Sequence, residues 1–367
     1  MAVQILTSAA TTLNPEATGT ATPQFEAAPS RYLRHVHLLR GIAIILVIGA
    51  HCWPAFGWTK SQTAGVLLVF DNVTVLFMFI SGLLFQHLSA NFRYRAYLRH
   101  RLSIIVLPYM VVSIPAVLMA VFVTHRTDIW PWVYRMPAWE EILFFLLTGK
   151  HLAPLWFIPM MTLFIFAAPL FIWIDRKNLY PVLVPVTLAL SVLLGRDSVP
   201  GLWNVFGKAL FMLPAYLAGM FFSRHRAMLE AWSERNRGLL LATLVVLSFA
   251  ILLQFFPARD LAILQKLVLA VLLLAALKQL RIPKLMEGAL AKIADLSFAI
   301  YFVHGYVITA SRISYATLLG DPTASSIFPP SLTGMVLDMI VVLTVSVGLV
   351  VVARGFLGRH SRMIIGA

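Results

Sequence analysis

The sequence predicts an all-α, polytopic membrane protein of about ten transmembrane helices with both termini cytoplasmic. Composition is the first reason: of 367 residues, 60% are hydrophobic and only 12% charged, against about 25% charged in an ordinary soluble domain. A mean hydropathy of +0.86 leaves too little polar surface to clothe so much apolar material. Apolar runs near the roughly 20 residues that span a bilayer recur along the whole chain. The basic residues, finally, gather in the short connections between those runs.

Residues 1–33 read as a disordered tail. The first thirty are rich in Ala, Thr and Pro and carry two glutamates with no lysine or arginine. They form neither a secretory signal nor a stop-transfer segment. Spans are expected at 38–56, 64–86, 102–123, 154–174, 179–195, 205–223, 238–257, 262–280, 294–317 and 332–353. Pro54, Pro108, Pro159 and Pro214 fall within or at the ends of spans, which lipid-embedded helices tolerate when neighbours satisfy the freed carbonyls. The segment 139–149 is too short to span and opens on Glu140 and Glu141, so an interfacial or re-entrant helix is expected there. Continuous helical runs also exclude an outer-membrane barrel. Residues 34–354 form the membrane domain, and 355–367 a short cytoplasmic tail. With the N-terminal tail inside, 20 of the 29 lysines and arginines fall on the cytoplasmic side, as the positive-inside rule requires.

The net charge of +14 does not point to nucleic acid, because the cations are dispersed over loops rather than gathered on a groove-binding element. A single cysteine, Cys52, excludes an intrachain disulfide framework and a cysteine metal cluster. No phosphate-loop, zinc-protease, nucleophile-elbow or dinucleotide pattern occurs, and nothing has metal-ligand spacing.

The chemistry-bearing residues are polar groups at span depth, where ionisable side chains are expensive. Arg40 and His51 are eleven positions apart in the first span, about 16 Å along a helix and roughly 20° beyond three turns, so they share one face. Arg40 is either a functional group or a snorkelling anchor; His51 is either a base or a donor to a neighbouring helix carbonyl. Asp71, in the second span, is expected at a depth near that of His51. It either pairs with the imidazole to fix its tautomer or caps its own helix. Arg93, Arg95, Arg99 and Arg101 crowd nine residues on the cytoplasmic side. Such guanidinium forks suit a phosphate-rich ligand, and equally the anionic headgroups of membrane lipids. In the ninth span Ser297, Tyr301 and His304 share a face, with His304 either hydrogen-bonded structurally or lining a tunnel. His151 and Trp156 stand at the outer mouth, one able to orient a polar acceptor, the other also readable as a belt aromatic. Asp338 is the remaining acid inside a span, a partner for one of these groups or for Arg312.

These stretches carry a resemblance. HLLRGIAIILVIGAH, with Arg40 and His51, is similar to the first-span motif of the acyltransferase-3 family of membrane acyltransferases. NVTVLFMFISGLLF, with Phe77, Ser81 and Gly82, is similar to that family's second span. The basic segment before Pro108, HLAPLWFIP and LSFAIYFVHG follow in the family's order, so the resemblance covers roughly 35–353. One departure stands out. The family commonly carries two arginines separated by two residues before the third-span proline, whereas Arg101 is followed three positions later by Ile104.

The resemblance implies acyl-CoA-dependent O-acylation, most often acetylation, of a sugar, glycolipid or other cell-envelope hydroxyl at a bacterial inner membrane. It implies acyl-CoA as donor substrate and no metal. In this reading His51 is the base, Arg40 and Asp71 assist it, Arg93 to Arg101 grip the donor, and His151, Trp156, Tyr301 and His304 meet the acceptor. Acyl transfer needs such a base, a cationic donor site and hydrogen-bond donors for the developing oxyanion. A proton- or solute-coupled transporter, with His51, Asp71, His304 and Asp338 as a relay, is the alternative. It lacks the inverted repeat common in that class.

Overall fold

The computed structural model describes residues 33–126, 128–199, 201–254, 260–318 and 328–367. The expected N-terminal tail therefore lies outside the described residues, apart from Leu33 at the start of the first helix. Among the described residues the fold is helical, with one isolated bridge between Phe56 and Phe328.

Helix α1 (Arg34–Cys52) leads through a short turn to α2 (Lys60–Phe70), which opens on a capping box between Thr59 and Gln62. Then come α3 (Thr74–His87) and α4 (Tyr94–Arg101), which runs through a π-helical turn at Leu102–Val106 into α5 (Leu107–Phe122). Next are α6 (Ala138–Thr148), α7 (Phe157–Phe166), α8 (Ala168–Arg176), α9 (Tyr180–Leu194) and α10 (Asn204–Arg224). Helices α11 (Arg226–Arg235), α12 (Arg237–Leu252), α13 (Ala262–Gln279), α14 (Lys284–Leu318), α15 (Leu332–Leu357) and α16 (Ser361–Ile364) complete the chain. Gly149, at φ 68°, ends α6 in the left-handed conformation that favours glycine.

Among the described residues, seven helical stretches are long and apolar enough to cross a membrane, or nine if each of two bent pairs is one span. The bent pairs are α6 with the Ala153–Phe166 stretch, at 73°, and α11 with α12, at 77°. The expected ten spans thus stand against seven to nine candidates among the described residues, with α9 as a further, shorter apolar helix. Helix α9 has 15 residues, about 22 Å of length against a hydrocarbon core of about 30 Å. The expected 238–257 span closes at Leu252, with residues 255–257 outside the described set. The 154–174 span is divided between α7 and α8, where Pro169 starts a new helix.

The second span is broken too, in a way apolar periodicity does not reveal. Asn72 takes φ 53° between α2 and α3, a conformation that asparagine adopts more readily than most residues. The break removes the amide that would have bonded the Leu68 carbonyl. Lys266 replaces it from α13: its side chain is buried and its Nζ donates to the Leu68 oxygen at 2.9 Å and to Gln265 Oε1 at 2.5 Å. Helices α3 and α10 cross at two glycines. A Cβ on Gly82 would overlap the Tyr216 carbonyl, and one on Gly219 the Phe79 carbonyl, a small-residue contact typical of helices that meet in lipid.

The chain end does not trail away. After Gly358 it turns back; the Ser361 hydroxyl donates to the Ala367 carbonyl at 2.7 Å, and Gly366 sits against Phe298 and Phe302 of α14.

Candidate active site

Helices α1 and α14 lie side by side and run in the same direction. Their contacts advance together along both chains: Arg34 Nε to Glu287 Oε1 at 2.5 Å, His37 Nε2 to the Ala291 carbonyl at 3.2 Å, Arg40 Nε to the Ala294 carbonyl at 3.0 Å. Gly41 makes the approach possible, since a Cβ there would stand 2.7 Å from the Leu290 carbonyl oxygen. Arg40 is thus tied to the α14 backbone. His51 is carried three turns further along the same face.

At that level His51 meets His304. Their ring centroids are 5.4 Å apart and the planes inclined by 50°. His304 is fully buried, and its Nδ1 lies 3.1 Å from the Ile300 carbonyl. A carbonyl can only accept, so Nδ1 carries the proton and Nε2 keeps a lone pair. That Nε2 is buried and has no hydrogen-bond partner among the described residues. The His51 ring makes no hydrogen bond among the described residues and retains partial exposure. Tyr301, 5.8 Å from His304 between centroids, spends its hydroxyl on the Pro154 carbonyl.

Two further groups frame His51. Arg312 of α14 donates from Nη2 to the His51 carbonyl at 2.8 Å. The neighbouring Cys52 thiol is buried and faces Asp338 of α15, which also faces the Arg312 guanidinium. The expected pairing of Asp71 with His51 is not formed. The turn at Asn72 directs Asp71 to Arg196, 3.6 Å away, while Asn72 Nδ2 donates to Asp260 and its Oδ1 accepts from Arg196 at 2.9 Å.

The remaining candidates occupy two other places. His151 is buried with both nitrogens engaged, Nδ1 with the Phe145 carbonyl at 3.0 Å and Nε2 with Ser113 Oγ at 2.8 Å. Trp156 lies under the Lys208 ammonium, 4.6 Å from its ring centroid, and Lys208 is 3.6 Å from Asp197. Arg93 lines an open depression of about 800 Å³ with Gln86, His87, Asn91, Asp175 and Arg176. Arg95 and Arg99 are exposed on α4, and Arg101 sits over the Tyr97 ring at 5.5 Å. Arg40, His51 and His304 are therefore joined by one helix pair, the His151–Trp156 segment meets α14 through Leu152 and Pro154 beside Gly305, and the arginine run stands apart. Among the described residues no three His, Cys, Asp or Glu side chains gather as a metal site.

The acyltransferase domain of the acyltransferase-3 family matches residues 34–354. The chain belongs to that family. No curated protein and no solved structure matches it. This membrane acyltransferase accordingly transfers acyl groups, and the geometry around His51 is read in that light. Sequence reasoning counted Arg312 among the outer-side cations and offered it as a partner for Asp338, without placing it beside His51. The signal that could have placed it is its spacing: eight residues beyond His304, within side-chain reach of the same level. Lys266 and Arg196 were passed over likewise, because the break that engages them was not visible.

Proposed function

We propose that this acyltransferase moves an acyl group, acetyl in the simplest case, from cytoplasmic acyl-CoA to a hydroxyl of a sugar, glycolipid or other envelope acceptor in a bacterial inner membrane. In this reading both termini are cytoplasmic, and 34–354 is the working domain between the flanks 1–33 and 355–367. The observation that carries the proposal is the His51–His304 pair: one imidazole free of hydrogen bonds beside another whose only open atom is an acceptor.

Chemically, His51 takes the proton of the acceptor hydroxyl as that oxygen attacks the thioester carbonyl carbon. The carbonyl electrons move onto oxygen and return as the C–S bond breaks. The CoA thiolate then takes the proton from the His51 imidazolium. An imidazolium has two N–H groups, and the second needs an acceptor. His304 Nε2 fills the place that sequence reasoning gave to Asp71. Arg40 sets the level of α1 against α14 through Ala294. Arg93, with Arg95, Arg99 and Arg101 nearby in sequence, serves the phosphates of the donor. Trp156, with Lys208 over its face, meets the acceptor, and His151 and Tyr301 shape that region through their backbone bonds.

The test incubates purified protein with acetyl-CoA labelled in the acetyl group and an envelope extract, then identifies the labelled product by mass spectrometry. An acetyl ester on a hydroxyl-bearing envelope molecule is expected. Label that stays on CoA, or appears only as free acetate, overturns the proposal.

A further inference from the structure

Arg312 is held in place yet left incomplete. It lies eight residues after His304 on α14, about 12 Å along the axis, and long helical side chains lean toward the helix N-terminus. That direction brings its guanidinium back to the level of residue 51, where Nη2 donates to the His51 carbonyl at 2.8 Å. Asp338 and Cys52 stand beside it. Its Nε, however, is buried with no hydrogen-bond partner among the described residues. Buried donors are almost always satisfied, and an orphan among apolar helices costs free energy that nothing in the resting protein returns. A lipid-facing anchor would point its head outward instead.

We propose that Arg312 donates through Nε to the acyl oxygen as negative charge develops on it beside His51. This rests on the reading of His51 as the base. The guanidinium is a donor only, so its missing partner must be an acceptor. Next to the base that deprotonates the attacking hydroxyl, the acceptor that gains charge during transfer is the thioester oxygen. Arg312 is always protonated and already fixed through Nη2, so it needs no reorganisation when that charge appears. Asp338 balances the guanidinium before substrate arrives. When the tetrahedral intermediate collapses, the charge leaves the oxygen with the C–S bond and the Nε contact returns to its resting state.

The experiment compares wild-type protein, R312Q, R312K and H51Q in the same lipid nanodiscs. Turnover of labelled acetyl-CoA is measured per folded molecule while acetyl-CoA and a dilution series of envelope extract are varied. Expected is a fall in kcat of about 10²- to 10³-fold for R312Q, with KM for acetyl-CoA and half-saturating extract changed by less than about threefold. R312K keeps the charge but not the planar fork, so it cannot bond the His51 carbonyl and the acyl oxygen in the same geometry. It should lose kcat as well, and it decides the matter where R312Q yields no folded protein. Unchanged kcat in folded R312K, or a rise in KM alone, overturns the role of Arg312. If H51Q is silent while R312K is normal, only the Arg312 proposal falls. If H51Q turns over normally, or the wild type transfers nothing, the reading of His51 fails and takes this proposal with it.

Discussion

Three histidines within the helical bundle differ in how much of their hydrogen-bonding capacity is already used. His151 has both nitrogens occupied, His304 has one, and the His51 ring has none. A general base needs a free lone pair with access to its substrate, and only His51 combines the two. H51Q should therefore lose about 10²- to 10⁴-fold in turnover while its folded yield stays near wild type. D71N should act differently, because Asp71 is engaged with Arg196 rather than with His51. Its turnover per folded molecule should stay within about threefold of wild type, and its effect should add to that of H51Q, as for sites without shared partners. A D71N variant that loses much more than threefold by itself, yet costs nothing further in the H51Q background, would restore the Asp71–His51 coupling. At this scale the two histidines and Arg40 were legible in the sequence, because polar groups on one helix face inside an apolar run stand out. The partner of Asp71 was not. It depends on the φ of a single asparagine and on Arg196, which lies more than a hundred residues away.

Helices owe their meeting to a few small or charged residues rather than to the apolar bulk of their faces. Gly219 shows it. A methyl group there would gain about 1 kcal/mol of helix propensity but would collide with the Phe79 carbonyl, a backbone atom that cannot rotate aside. Overpacking of this kind costs about 1–3 kcal/mol, so G219A should lower the thermal midpoint in detergent, and an unchanged or raised midpoint would show that α3 can yield. A second junction is ionic. On α11, Glu230 faces His35 at 3.3 Å and Lys278 at 2.7 Å. Burial pushes its carboxyl up, but hydrogen bonds from His35 and Lys278 and the Lys278 charge outweigh this and hold it down to about 2, below its ordinary 4.5. A depressed carboxylate stabilises the fold above its unfolded pKa. That contribution should fade as pH falls from about 4.5 toward 2, and the E230Q midpoint should be flatter across that window. Helix positions were largely legible from apolar runs. The breaks at Asn72 and Pro169 and the shortness of α9 were not, because a hydropathy run does not register where the backbone changes direction.

At the scale of the whole molecule, membrane character followed from composition alone, and the family's domain covers nearly all of the described chain. Packing order did not follow. Nothing in the composition says that the first helix lies along the fourteenth, or that the last residues fold back onto Phe298 and Phe302. The first of these contacts joins residues more than two hundred positions apart and the second residues more than sixty apart, separations that no local pattern encodes.

The parallel run of α1 and α14 has a metrical consequence. Seventeen positions separate Arg34 from His51 on one helix, and seventeen separate Glu287 from His304 on the other. At 1.5 Å per residue each interval is about 25 Å, so an ion pair and the two imidazoles keep the same count at both ends, like two rulers read from a common zero. Adding seven residues between Ala294 and Phe302 would return His304 to nearly the same face but carry it about 10 Å beyond His51. Such a protein should keep the Arg34–Glu287 end, bind acetyl-CoA and transfer nothing. A matching seven-residue insertion between Gly41 and Val47 should bring the two histidines level again and recover turnover. If the single insertion keeps full turnover, the equal counts on the two helices do not position the chemistry.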